Sequence, residues 1–97
     1  MSVWVIVDLK VKPGKQDELK AYLKSILGDT RRFSGCEFIE LFEDRADPLA
    51  WTFVERWDDK GNYEKYLAWR GENGSLGRIV AMLDGNPGIR YLDKIDA

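Results

Sequence analysis

The sequence has 97 residues, 44% of them hydrophobic, which is enough for one core and too few residues for two domains. Fifteen Lys and Arg stand against seventeen Asp and Glu for a formal net charge of -2, and no basic run exceeds Arg31-Arg32, so the footprint that a nucleic-acid partner demands is missing. With no His and a single Cys, Cys36, the common zinc spacings, haem ligation through imidazole and an internal disulfide are all excluded, and no metal site is expected.

The amino terminus enters a strand pattern at once, without a basic or long apolar segment, and no later run approaches membrane-spanning length. A cytoplasmic protein with no membrane partner is expected. Val3, Val5, Val7, Leu9 and Val11 alternate with Trp4, Ile6, Asp8, Lys10 and Lys12, the period of a strand whose second face turns polar toward its end. Lys12-Pro13-Gly14 stops it. From Lys15 the period becomes helical, with Leu19, Tyr22, Leu23, Ile26 and Leu27 on one side, and Gly28 or the polar group Asp29-Thr30-Arg31-Arg32 weakens or ends the helix. Ser34-Gly35 then turns the chain.

Two apolar runs follow, Cys36 to Glu43 and Leu49 to Trp57, flanking the polar turn Asp44 to Pro48, and together they predict a β-hairpin. Strict alternation puts Cys36, Phe38, Glu40 and Phe42 opposite Glu37, Ile39, Leu41 and Glu43, and Trp51, Phe53 and Trp57 opposite Ala50 and Val54. Large apolar groups therefore occur on both faces. After Trp57, Asp58 or Asp59 is placed to cap a second helix over Asn62 to Arg70, in which Tyr63, Tyr66, Leu67 and Arg70 fall at helical spacing. Gly71-Glu72-Asn73-Gly74 breaks it. Ser75 then caps a shorter run carrying Leu76, Ile79, Val80, Met82 and Leu83. Asp84 to Gly88 is dense in turn residues, and Ile89 to Ile95 alternates as a last strand.

The order β-α-β-β-α-β predicts an α+β, ferredoxin-like domain over residues 1–97, an antiparallel sheet with both helices on one face. Leaving roughly six large side chains of the bare face in water would forgo on the order of 10 kcal/mol, comparable with the stability of a small domain. A homodimer packed sheet to sheet is the expected cover.

Lys12-Pro13-Gly14-Lys15 before the first helix, Thr30-Arg31 at its end, Gly35-Cys36, Asp47-Pro48 and Glu55-Arg56-Trp57 occur in an order and spacing that resemble the antibiotic biosynthesis monooxygenase family of the dimeric α/β-barrel superfamily. The resemblance covers nearly the whole chain. It implies a dimeric barrel, a pocket in each protomer between sheet and helices, and oxygenation of aromatic quinols or anthrone-like molecules by O2 with no metal, flavin or other cofactor. One position departs from the pattern: Tyr66 stands where the family commonly carries a His, and without any His the haem-degrading activity of some relatives is not expected.

Such chemistry asks little of the protein. Ground-state O2 reacts sluggishly with closed-shell molecules, so most oxygenases employ a flavin or metal. An electron-rich phenolate or enolate can instead pass one electron to O2 itself, if a dry pocket favours its deprotonated form and holds it still. Candidate groups lie on a second stripe of the second helix: Asn62 to donate to a substrate oxygen, Tyr66 to hydrogen-bond or relay a proton, and Trp69 with Trp57 to stack on a planar ring. Phe53 and Val7 complete the expected substrate-binding wall. Each also has a structural reading: Tyr66 as a half-buried core tyrosine, Asn62 as a solvated first-turn residue, Trp57 as a strand-end core residue, Cys36 as a small hydrophobe. Glu55 shares the face of Phe53 and Trp57 and is either paired to a basic group, at the barrel rim, or a proton acceptor. A polyketide cyclase or other proton-transfer enzyme, and a non-catalytic small-molecule-binding dimer, are the competing functions.

Overall fold

The computed structural model describes residues 1–97. Its elements are β1 (Val3–Lys10), α1 (Gln16–Arg32), β2 (Cys36–Asp44), β3 (Asp47–Trp57), α2 (Lys60–Glu72), α3 (Ser75–Ala81) and β4 (Gly88–Leu92). The four strands form one antiparallel sheet in the order β2-β3-β1-β4. This is the ferredoxin-like α+β arrangement expected from the sequence, with a short third helix added after α2.

β1 runs beside β3 in unbroken register from Val3 opposite Trp57 to Lys10 opposite Ala50. Its odd-numbered residues, Val3 to Leu9, are buried, and with Trp51, Phe53, Trp57 and Ile39 they meet Leu19, Leu23 and Leu27 of α1 and Tyr63 and Tyr66 of α2 in one core. The alternation in β1 is thus an accurate record of which side the helices cover.

The hairpin departs from the expected pattern in two ways. The turn is tighter than Asp44 to Pro48: β3 begins at Asp47, and only Arg45 and Ala46 connect the strands. At the other end of β2, Cys36 faces Trp57 and Phe38 faces Arg56, so Glu37 is an extra residue, a β-bulge. The bulge changes the phase. Cys36 comes to the helix side with Ile39 and Leu41, packed against the core, while Phe38 lies on the other face against Trp4, their ring centroids 6.1 Å apart. Glu37 itself accepts from Ser2 Oγ at 2.6 Å and Arg56 Nε at 3.1 Å.

α1 continues through Gly28 to Arg32 because Thr30, fully buried, faces inward and is hydrogen-bonded there. A single helical Gly costs only about 1 kcal/mol against Ala. Other boundaries shift too. Asp59 occupies the α2 N-cap but uses its backbone carbonyl, which accepts from Asn62 and Tyr63 N–H; neither it nor Asp58 caps with its side chain. Gly74, not Ser75, is the N-cap of α3, at φ 84°. β4 stops at Leu92 rather than Ile95. The segment after α3 is fastened to the end of β1 by Lys12 N–H donating to Met82 O at 3.0 Å and Asp84 N–H donating to Lys10 O at 2.7 Å.

The second sheet face carries Trp4, Ile6, Phe38, Phe42, Val54 and Leu92 with no layer over it, and Phe42 is 51% exposed. Polar pairs are interspersed, Arg56 with Glu37 and Arg90 with Asp8. That face is more mixed than strict alternation through β2 implies. No helix is long and apolar enough to cross a membrane.

Candidate functional site

A cavity of about 290 Å³ lies between the helix side of the sheet and the helices, near the lower end of the range for small-molecule sites. Val7 and Leu9 of β1 and Phe53 and Glu55 of β3 form its floor; Tyr63, Tyr66, Leu67 and Arg70 line it from α2. α1 and α3 add aliphatic walls, and the exposed residues Asn86 and Ile89 mark its mouth beside the segment held to β1. The space beneath the second helix is therefore open, and Tyr66 and Trp69 do not fill it.

Two polar residues on the wall each keep one oxygen without a hydrogen-bond partner in the protein, Glu55 its Oε2 and Tyr63 its Oη. Glu55 is 3% exposed, and Trp57 Nε1 donates to its Oε1 at 3.0 Å. No basic side chain pairs with it, contrary to one sequence expectation. Burial pushes the Glu55 carboxyl up from 4.5 to about 7, against the smaller lowering effect of the Trp57 bond. The Tyr63 hydroxyl makes no side-chain hydrogen bond and is also held well above its ordinary range, first by burial and then by the Glu55 charge. No fully buried side-chain nitrogen or oxygen in the protein lacks a partner, so Glu55 Oε2 and Tyr63 Oη retain some accessible surface, and both residues line the cavity.

At the other end the polar groups are tied together. Arg70, 3% exposed, donates from Nε to Tyr66 Oη at 3.0 Å, from Nη2 to Thr30 Oγ1 and Ile26 O, both at 2.9 Å, and from Nη1 to Ser75 Oγ at 3.3 Å. Thr30 Oγ1 and Tyr66 Oη share a further hydrogen bond of 2.8 Å. Burial raises the Tyr66 hydroxyl while its bonds to Thr30 and Arg70 pull it down. Ser75 is held in turn by Asn73 Oδ1 at 2.6 Å.

Residues 2–71 match the model of the family described as antibiotic biosynthesis monooxygenase. The chain belongs to that family. Among solved structures, a conserved protein from Methanosarcina mazei Go1 superposes with a TM-score of 0.89 at 22% identity, covering 98% of this chain and 94% of that one. An antibiotic biosynthesis monooxygenase does so with 0.85 at 22% identity over 96% and 98%, and a protein from Shewanella oneidensis with 0.80 at 26% over 94% and 88%. No curated protein matches the chain.

Within this antibiotic biosynthesis monooxygenase domain the sequence-predicted site residues separate into two groups. Val7, Phe53 and Tyr66 line the cavity, and Glu55 joins them. Asn62, Trp57 and Trp69 do not. Asn62 Nδ2 donates to Asp58 Oδ1 at 2.9 Å, close over Gly35. Trp57 is wholly buried among Phe33, Tyr63 and Tyr66, and Trp69 packs on Phe33 and Tyr66 outside the cavity. The helix is turned so that the stripe Tyr63, Leu67 and Arg70 faces the cavity together with Tyr66, in place of Asn62 and Trp69. Arg70 and Tyr63 had no site role in the sequence reading; their only signal was their spacing in α2.

Proposed function

We propose that this domain oxygenates an electron-rich aromatic, an anthrone-like molecule or a quinol, with O2 and without a metal or flavin. The observation that carries the reading is Glu55: a carboxyl on the wall of an apolar cavity, unpaired by any cation, with one oxygen free of protein partners and a pKa pushed up to about 7. A general base works best with a pKa near the operating pH. Glu55 Oε2 takes a proton from the substrate, and the Tyr63 hydroxyl donates to the oxyanion that develops. Phe53 and Val7 supply the wall, Tyr66 is a further hydrogen-bonding group on it, and Trp57 is a positioning residue that fixes the carboxylate.

For an anthrone-like CH2 the balance closes on O2 alone. The carbanion passes one electron to O2, the radical pair joins as a peroxide anion, and protonated Glu55 returns its proton to it. Loss of the remaining C–H proton with cleavage of the O–O bond yields the ketone and water, so four electrons leave the substrate and four enter O2. A second copy over the open sheet face, closing a barrel, belongs to the same proposal; it is supported by the half-buried Trp4, Ile6, Phe38 and Val54 there.

The test is an oxygen electrode run over a panel of anthrones and hydroquinones, with Glu55→Gln beside the native protein. One O2 consumed per ketone formed, and a fall of about 10²- to 10⁴-fold in kcat for the variant, is the expected result. Silence across the panel, or full activity in Glu55→Gln, overturns the reading. Turnover under strict anaerobiosis would instead make the domain a proton-transfer enzyme of the cyclase type.

A further inference from the structure

We propose that the cavity takes an aromatic acid of two or three fused rings, its carboxylate held at Arg70 and its ring system on the apolar floor. The inference rests on the reading of the cavity as a small-molecule site and goes beyond it by naming the ligand class.

Arg70 is an unneutralised cation. It is 3% exposed, and the six ion pairs of the protein all lie elsewhere. Its four hydrogen bonds end on neutral oxygens, those of Tyr66, Thr30, Ser75 and Ile26. A guanidinium has five N–H donors and keeps its charge in proteins, so one N–H on Nη1 has no protein acceptor. The rings of Trp69 and Tyr66, 4.7 and 5.3 Å from the guanidinium carbon, temper the charge without supplying an anion. A buried charge left in this state favours whatever brings it a counter-ion.

Arg70 lines the same cavity as Phe53 and Tyr63, so an anion that reaches its guanidinium through that space arrives with an apolar body attached. A carboxylate there accepts the free Nη1–H. It can also accept from Tyr66, because the hydrogen bond shared by Tyr66 and Thr30 can run in either direction, and with Thr30 donating the phenolic proton is released toward the guest. The cavity of about 290 Å³ limits the body to two or three fused rings. Glu55, on the β3 floor, is left for the ring's reacting position.

The probes are naphthalene-2-carboxylate and its neutral near-isostere naphthalene-2-carboxamide, titrated into the full chain by calorimetry with no turnover required. The carboxylate is expected to bind at least tenfold more tightly, and Arg70→Gln to abolish that preference, bringing the two affinities within threefold of each other. Equal affinities, a preference for the amide, or failure of both probes to bind at millimolar concentration overturns the proposal. The native-protein comparison stands even if Arg70→Gln does not fold. Selectivity without oxygen uptake on any anthrone would remove the oxygenase reading and leave the acid class; oxygen uptake without selectivity would do the reverse.

Discussion

Trp57 and Glu55 stand two residues apart on one face of β3, and the indole N–H of the first donates to the carboxylate of the second at 3.0 Å. The bond favours the charged carboxylate, while burial favours the neutral acid by more, and the outcome is a group near neutrality.

Because the base must be ionised to act, kcat/KM is expected to rise with pH through an apparent pKa of about 7. Trp57→Phe removes the donor and should move that midpoint up by roughly one pH unit, the equivalent of a hydrogen bond to a charged group. A pH-rate profile with an unmoved midpoint would detach Trp57 from the tuning of Glu55.

The same carboxyl links pH to stability. Its pKa in the folded state lies above its ordinary 4.5, so its contribution is fully present below that value and is lost as pH rises through about 7. The size is on the order of 3 kcal/mol. Denaturant melts of the native protein should weaken between pH 4.5 and 7.5, and those of Glu55→Gln should be flatter there and stronger at pH 8. Asp47, whose carboxyl is held low by its hydrogen bond to Lys10, works in the opposite sense, with stability lost as pH falls.

Gly35 sits at φ 96°, and a Cβ built on it would lie 2.6 Å from Asp58 Oδ1 and 2.7 Å from Asn62 Cβ. Both the left-handed backbone and the close approach require glycine. Gly35→Ala should cost about 1 to 3 kcal/mol, read as a lower Tm, and should leave the pH dependence assigned to Glu55 in place.

The uncovered sheet face predicts self-association. Ile6→Lys and Val54→Glu, each placing a charge among half-buried apolar neighbours, should convert a dimer to a monomer in sedimentation equilibrium while far-ultraviolet dichroism stays native. A native protein that sediments as a monomer at micromolar concentration would refute this.

The course of the chain could be read from the sequence wherever period and punctuation agreed: β1 from its valines, α1 from its leucines, the hairpin from its two apolar runs. The bulge at Glu37 could not, because an extra residue shows only against the register of the partner strand. The site was read less well for a related reason. α2 turns toward the cavity a stripe that ends in Arg70; its spacing put it on that stripe, but a guanidinium ordinarily stays in water, and its burial here depends on the oxygens that α1 and α3 bring to its donors. Glu55 was placed on the correct face, but its lack of a cation depends on contacts between elements far apart in the chain.

Arg70 has a mechanical consequence as well. Its donors grip Ile26 and Thr30 on one helix and Ser75 at the head of another, so three helices are pinned at a single guanidinium. A guest too wide for the chamber cannot be admitted by swinging one side chain aside; the whole roof must tilt as a plate, and breadth of substrate range becomes a matter of how stiffly that plate is hinged.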